Sequence, residues 1–246
     1  MSTQPIYNAV IAVAERRLDR REGRIRHLDI GAGRGELIRD LRARLPADSS
    51  ACDFHVERFA LSDVPCARVD LNSGELPYST GSFDLVTCSE VVEHLENYRA
   101  LLREAYRVTA PGGVLIVTTP NVLNTNSRVR YLLSGFANLF GPLPLRNDKR
   151  YSTGGHITPI PYFYLAHALL DAGYEAPVLD IDKTQKTSAF WAVLLAPLLW
   201  IGRYRFMRRE RVRFKTITPE NAPVVAIHFS WPLLTGRTVV VSAVKR

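Results

Sequence analysis

The first 120 residues alternate between two hydrophobic rhythms. Residues 1–24 repeat apolar positions at helical spacing and close on paired charges, Glu15-Arg16-Arg17 among them, which predicts one amphipathic helix. Arg26–Ile30 reads as a short strand that stops at a glycine cluster. Glu36–Leu45 returns to helical spacing, with Leu37, Ile38, Leu41 and Leu45 on one side and Pro46 after it. Cys52–Val56 and Ala67–Val69 are brief strands, and Phe83–Cys88 is a buried one. A helix over Leu95–Val108, a Pro111-Gly112-Gly113 turn and a buried strand over Val114–Thr118 follow. Strands alternating with helices predict an α/β fold, a mostly parallel sheet with helices on both faces.

The second half is less regular. Residues 121–158 are rich in Asn, Gly, Pro and Arg and too long for a plain connection, so they read as a substrate lid. Pro161–Ala172 is a helix, Pro177–Ile181 a strand and Arg237–Val244 a last strand. Between those strands lies an insertion, residues 183–236. It contains Ala189–Ile201, thirteen apolar residues without a break. As a helix the run is about 20 Å long, short of the roughly 30 Å hydrocarbon core, and it contains Pro197. Aromatics near both ends and a basic block after it suit an element lying in a membrane interface, over 187–215. The same run suits a buried helix, a homodimer contact or another protein partner.

Charge sharpens this reading. The 246-residue chain carries a net +8, but Arg203, Arg205, Arg208, Arg209, Arg211, Arg213 and Lys215 against Glu210 supply 7 − 1 = +6 of it. The remainder is near neutral. Nucleic acid is disfavoured, because an RNA-binding arm would not adjoin so long an apolar run. Cys52, Cys66 and Cys88 form no CxxC pair, which excludes a disulfide scaffold and a zinc finger and suits a reducing compartment. No signal peptide is visible, so the expected location is cytoplasmic, peripheral on the inner face of the membrane. One domain over 1–246 accommodates all of this.

His27-Leu-Asp29-Ile-Gly31-Ala32-Gly33-Arg-Gly35 is a strand feeding a glycine turn that opens a helix, a place where backbone passes close to a ligand. A dinucleotide fingerprint needs a third glycine at position 36, where Glu stands. Asp29 beside the loop would repel a pyrophosphate but suits an ammonium and a sulfonium. Further on come Asp70-Leu71-Asn72, Leu76-Pro77-Tyr78, Ser82-Phe83-Asp84-Leu85-Val86, Ser89-Glu90-Val91-Val92-Glu93-His94-Leu95, Arg107-Val108-Thr109-Ala110-Pro111-Gly112-Gly113 and Thr118-Thr119-Pro120-Asn121. In this order the segments resemble the class I S-adenosylmethionine-dependent methyltransferases, over roughly residues 25–182 and the last strand. The resemblance implies a Rossmann-like sheet of seven strands and S-adenosylmethionine as cofactor. It implies that Asp29, Gly31, Ala32, Gly33 and Gly35 receive the methionine end. The acid closing the second strand, Glu57 or else Asp53 if the strand is shorter, would hold the ribose. Asp70 and Leu71 would meet the adenine, and Ser89 the sulfur end.

Glu90, Glu93 and His94 are spaced i, i+3, i+4, which on a helix gathers them on one face. With His156 they form a candidate site for a divalent metal, Mg or Zn. The pattern resembles the metal sites of ubiquinone-pathway O-methyltransferases and of small-RNA 3′-end 2′-O-methyltransferases. Without a metal, His94 or His156 is the candidate general base, with Glu93 beside it. Asn121 with Pro120 is expected to face the acceptor, and Asn124, Asn126, Arg128, Arg130, Arg146 and Tyr151 are polar candidates for the rest of the pocket. The expected activity is O-methylation of a small or lipid-linked acceptor, an envelope glycan or an isoprenoid quinone precursor. The alternatives are a 2′-O-methyltransferase of RNA ends and a non-catalytic cofactor-binding subunit.

Overall fold

The computed structural model describes residues 3–19, 23–72, 75–143 and 155–246. Its strands are β1 (Ile25–Ile30), β2 (Ala47–Asp53), β3 (Cys66–Arg68), β4 (Phe83–Ser89), β5 (Thr109–Pro120), β6 (Tyr174–Ile181) and β7 (Thr238–Lys245). They form one sheet in the order β3-β2-β1-β4-β5-β7-β6. Only β7 runs against its neighbours, inserted between β5 and β6. The helices are α1 (Gln4–Leu18), α2 (Glu36–Arg42), α3 (Tyr98–Val108), α4 (Thr125–Ser134), α5 (Tyr162–Ala172), α6 (Lys186–Leu194), α7 (Ala196–Arg209), α8 (Ala222–Ile227) and α9 (Trp231–Thr235).

Strand alternation splits the core into two layers. Leu85, Val114, Ile116 and Val240 pack with Ile6, Val10 and Ile11 of α1 and Leu37 and Leu41 of α2. The intervening residues Val86, Cys88, Leu115, Val117, Val239 and Val241 pack with Leu101 and Leu102 of α3 and Leu165 and Leu169 of α5. Each such side chain contributes about 1.5–3 kcal/mol by leaving water, so both faces of the sheet must be covered. The carboxyl ends of β1, β2, β4 and β5 are thereby fixed along one edge, where an open α/β sheet binds its ligands.

Several expected boundaries shift. The strand expected over Cys52–Val56 is Ala47–Asp53, because polar Asp48-Ser49-Ser50 pairs in register with Arg26-His27-Leu28 although it shows no apolar alternation. The helix expected from Leu95 starts at Tyr98, where the Asn97 side chain accepts the Ala100 amide; Val92–His94 is a separate 3-10 turn. The single apolar run Ala189–Ile201 is two helices, α6 and α7, because Pro197 lacks an amide proton and suits only a first turn. The segment expected as a lid contains a regular helix, α4, capped by the Asn124 side chain on the Ser127 amide. Arg146 and Tyr151 lie outside the described residues.

Candidate active site

The glycine loop leaves β1 at Ile30. Gly31, Gly33 and Gly35 have φ of +73°, +56° and +88°, a region that costs other residues dearly. At Gly31 a Cβ would also strike the Val91 side chain. Among the described residues nothing lies within 4 Å of where a Gly33 Cβ would stand, so that side of the loop is open to a ligand. The Gly31 and Ala32 amides donate to the Cys52 carbonyl at 2.8 and 3.2 Å, which fastens the loop to β2.

Two acids flank this open side. Asp29 is 2% exposed, and its Oδ1 accepts from the Thr87 hydroxyl at 2.7 Å. Burial pushes its pKa up to about 7, Asp53 adds to the rise and Thr87 opposes it. Asp53 closes β2, with Oδ2 accepting from the Gly33 amide at 2.9 Å and Oδ1 from the His55 amide at 2.7 Å. Glu57 lies beyond the strand in a short 3-10 turn, more than half exposed. It is engaged by His55 at 3.0 Å and by Arg68 at 3.0 Å. Its pKa is held below the usual range by its own backbone amide, then His55, then Arg68. Asp70 is half-buried and its Oδ1 caps the Asn72 amide at 3.0 Å; Leu71 packs on the core. Ser89 ends β4, buried, with its hydroxyl 3.2 Å from that of Thr118.

Beyond β4 the chain does not continue as a helix, so the i, i+3, i+4 arrangement is not realised. Glu90 takes a left-handed φ of +57°. It is pinned there by its amide donating to Thr118 Oγ1 at 3.0 Å and by its Oε1 accepting from that hydroxyl at 3.2 Å. Burial pushes its pKa up to about 7. The next turn, Val92–His94, brings Glu93 and His94 together with His156, their ligand atoms all within 4.8 Å of one another, with Glu90 outside the group. Residues 155–158 are tied to this turn, since the Ile157 and Thr158 amides donate to the Glu93 carbonyl at 2.9 and 3.0 Å. His94 Nδ1 donates to the Gly155 carbonyl at 2.9 Å, which leaves Nε2 as the lone-pair nitrogen. The two imidazoles meet edge to face with centroids 4.9 Å apart, and Phe140 packs on His156 at 5.2 Å.

Glu93 is fully buried, and among the described residues neither carboxylate oxygen has a partner at hydrogen-bond distance, the Thr119 hydroxyl being the side chain that opposes the rise of its pKa; His156 Nδ1 likewise has none. Burial, reinforced by Glu90, drives the Glu93 pKa well above the usual range, and burial lowers both histidines. An unpaired buried carboxylate costs several kcal/mol, of order 1–3 even for a single unsatisfied group, unless something positive or a proton meets it. Two imidazoles and a carboxylate are a donor set for a divalent ion with one position left open.

Of the other expected pocket residues, Asn121, Asn124 and Arg128 serve the scaffold, and Asn126 is half-buried in the first turn of α4. The Asn121 amide does not face an acceptor: it donates to the carbonyls of Leu233 and Gly236 at 2.8 and 2.9 Å, locking α9 and β7 to the end of β5. Asn124 is fully buried as the cap of α4. Arg128 spans the carbonyls of Leu123 and His228, half-buried with no acidic partner among the described residues. Arg130 is exposed. What the sequence reading missed is a buried polar row, Ser49, His27, Thr87 and Asp29, beneath the glycine loop. Its one visible signal was alternation in β1, which sets His27 and Asp29 on the same face.

These features define a class. The methyltransferase-domain family profile matches residues 6–177, and the chain belongs to the class I S-adenosylmethionine-dependent methyltransferases. It is 31% identical over 179 residues to a demethylmenaquinone methyltransferase of Corynebacterium urealyticum, covering 67% of this chain and 71% of the relative. It is 34% identical over 113 residues to a ubiquinone biosynthesis O-methyltransferase of Xanthomonas oryzae pv. oryzae, covering 43% of this chain and 46% of that protein, so this match spans about half the relative's length. The fold is that of a SAM-dependent methyltransferase from Archaeoglobus fulgidus, with a TM-score of 0.58 at 17% identity, covering 97% of this chain and 94% of that one.

Proposed function

We propose that this chain transfers the methyl group of S-adenosylmethionine to a hydroxyl oxygen of an amphiphilic acceptor at a membrane surface. The observation that carries the chemistry is Glu93, a buried carboxylate without a hydrogen-bond partner among the described residues, set against two imidazoles. The loop Gly31–Gly35 and Asp29 receive the methionine end, Asp53 the ribose hydroxyls, Asp70 and Leu71 the adenine, and Ser89 the sulfur end. For the ribose we favour Asp53 over Glu57, because Asp53 is the acid that closes β2 and touches the loop. The relatives' names, ubiquinone O-methyltransferase and demethylmenaquinone methyltransferase, support an isoprenoid quinone precursor; a lipid-linked glycan shares its amphiphilic character.

Transfer from a sulfonium is an in-line displacement whose leaving group the cofactor supplies, so the protein must orient the acceptor and take its proton. The Gly155 carbonyl fixes the His94 tautomer and aims Nε2 at the site. Burial keeps His94 neutral and able to accept a proton. Glu93, His94 and His156 also fit a divalent ion; such an ion lowers the pKa of a hydroxyl bound to it. His94→Asn is expected to lower kcat for O-methylation of a polyprenylated catechol by about 10²-fold or more, with S-adenosylhomocysteine affinity unchanged. Full activity in that variant overturns the assignment. Metal analysis of wild type against Glu93→Gln, dialysed with zinc or magnesium, separates the two roles of His94: loss of a bound ion with Glu93 marks it as a ligand, and no ion in either leaves it as the base.

The membrane part rests on exposed apolar side chains. Leu132 and Leu133 of α4 are 83% and 80% exposed, and Trp200 and Val193 of α7 and α6 are 70% and 67% exposed. None of the α7 residues is buried, and α4 packs against α6. Arginines 203–213 on α7 and the turn after it supply the charge that an anionic leaflet attracts, on the order of 1 kcal/mol each. Among the described residues no helix is long and apolar enough to cross a membrane.

A further inference from the structure

The polar row beneath the glycine loop has a direction, and the direction is set by charge. Ser49 and His27 are register partners across β2 and β1, as are Asp29 and Thr87 across β1 and β4. Ser49 Oγ lies 3.1 Å from His27 Nδ1, His27 Nε2 lies 2.9 Å from Thr87 Oγ1, and Thr87 Oγ1 lies 2.7 Å from Asp29 Oδ1. His27 and Thr87 are fully buried, Asp29 nearly so, and Ser49 is half-buried, the one member within reach of water. Among the described residues the charged and titratable groups that face Asp29 are the Asp53 carboxylate and the thiols of Cys52, Cys66 and Cys88; none is a cation.

Each link can hold one proton, and the other acceptor near Thr87 Oγ1, the Leu28 carbonyl, is distant at 3.4 Å, so the row has two consistent arrangements. When Asp29 is ionised, Thr87 donates to it. Thr87 must then accept from His27 Nε2–H, and the bare Nδ1 accepts from Ser49. When Asp29 is protonated and donates to Thr87, the hydroxyl donates to a bare Nε2, and Nδ1–H donates to Ser49. Burial holds His27 neutral, with its pKa down to about 3, so the two neutral tautomers are in play and not the cation.

We propose that Asp29 and His27 form one proton switch: docking of the cofactor's cationic methionine end at the loop ionises Asp29, converts His27 from the Nδ1–H to the Nε2–H tautomer, and releases one proton at Ser49. The row holds four protons before docking and three after it, the one lost by Asp29 being made up by the one delivered to water. The Asp29 proton passes to Thr87, that of Thr87 to Nε2, that of Nδ1 to Ser49, and the former Ser49 proton to water. The inference rests on the loop being the cofactor site. His27, Thr87 and Ser49 are positioning residues here, acting through Asp29.

The test uses the full chain and S-adenosylhomocysteine, which carries the same ammonium group. Titration calorimetry at pH 6 in two buffers of different ionisation enthalpy is expected to show close to one proton released per ligand, falling toward none by pH 8.5. Affinity is expected to drop about tenfold per pH unit below the midpoint. Nitrogen-15 spectra of the imidazoles are expected to show His27 exchanging its protonated nitrogen on binding. His27→Phe, which leaves Thr87 without a donor behind it, is expected to move the pH midpoint of affinity upward, a shift that a purely structural role would not give. Binding without proton release, or with the His27 tautomer unchanged, overturns the switch while leaving the cofactor site standing. No binding at all overturns both. Should His27→Phe fail to fold, the wild-type spectra decide alone.

Discussion

Asp53 and Glu57 are both carboxylates near the end of β2, yet their surroundings divide them. Asp53 is held by two backbone amides on the loop side, whereas Glu57 leans outward to Arg68 and His55. Asp53→Ala is therefore expected to weaken S-adenosylhomocysteine binding at least tenfold in calorimetry, and Glu57→Ala to leave it within twofold. The reverse order would return the ribose to Glu57. The glycines of the loop were legible in the sequence because a left-handed turn is a local demand, written in three residues. The choice between the two acids was not, since it hangs on where a polar strand stops. Glu93, His94 and His156 were legible as a group, but Glu90 was drawn in by a helical spacing that the left-handed φ at that residue denies.

Among the elements, α6 and α7 show most clearly how a sequence pattern can be right in composition and incomplete in shape. The apolar run was visible, and Pro197 was the mark of its break. The contribution of α4 was not visible, because Tyr131, Leu132 and Leu133 form only a short apolar stretch and join the surface through α4 packing on α6. Liposome flotation checks this surface. Wild type is expected to float with anionic vesicles and to lose most binding with Leu132→Asp, Leu133→Asp or with Trp200→Asp, while far-ultraviolet circular dichroism stays unchanged. Binding that high salt abolishes but these changes spare would make the arginines sufficient. Failure to bind vesicles at any salt would turn the surface toward a protein partner or a second copy.

For the molecule as a whole, the buried row carries a signature in acid. The folded-state pKa of His27 is lowered to about 3 from 6.5, so the stability associated with its neutral form is present above pH 6.5 and lost as pH falls toward 3. That loss is about 1.4 kcal/mol per pH unit at most. Asp29 leans the other way, its raised pKa costing stability as pH rises from about 4 to about 7. Denaturant unfolding at pH 7 and pH 4.5 should find His27→Phe gaining on wild type as the pH falls; a constant difference would show that His27 takes up its proton as readily folded as unfolded. Another consequence of the architecture concerns synthesis. β7 comes last in the chain but occupies the slot between β5 and β6, both of which are complete by Ile181. A nascent chain thus emerges with two open, apolar strand edges facing an empty slot, and keeps them until Thr238–Lys245 clears the ribosome. A chain that stops before Thr238 lacks β7 and leaves β5 and β6 without the strand that joins them.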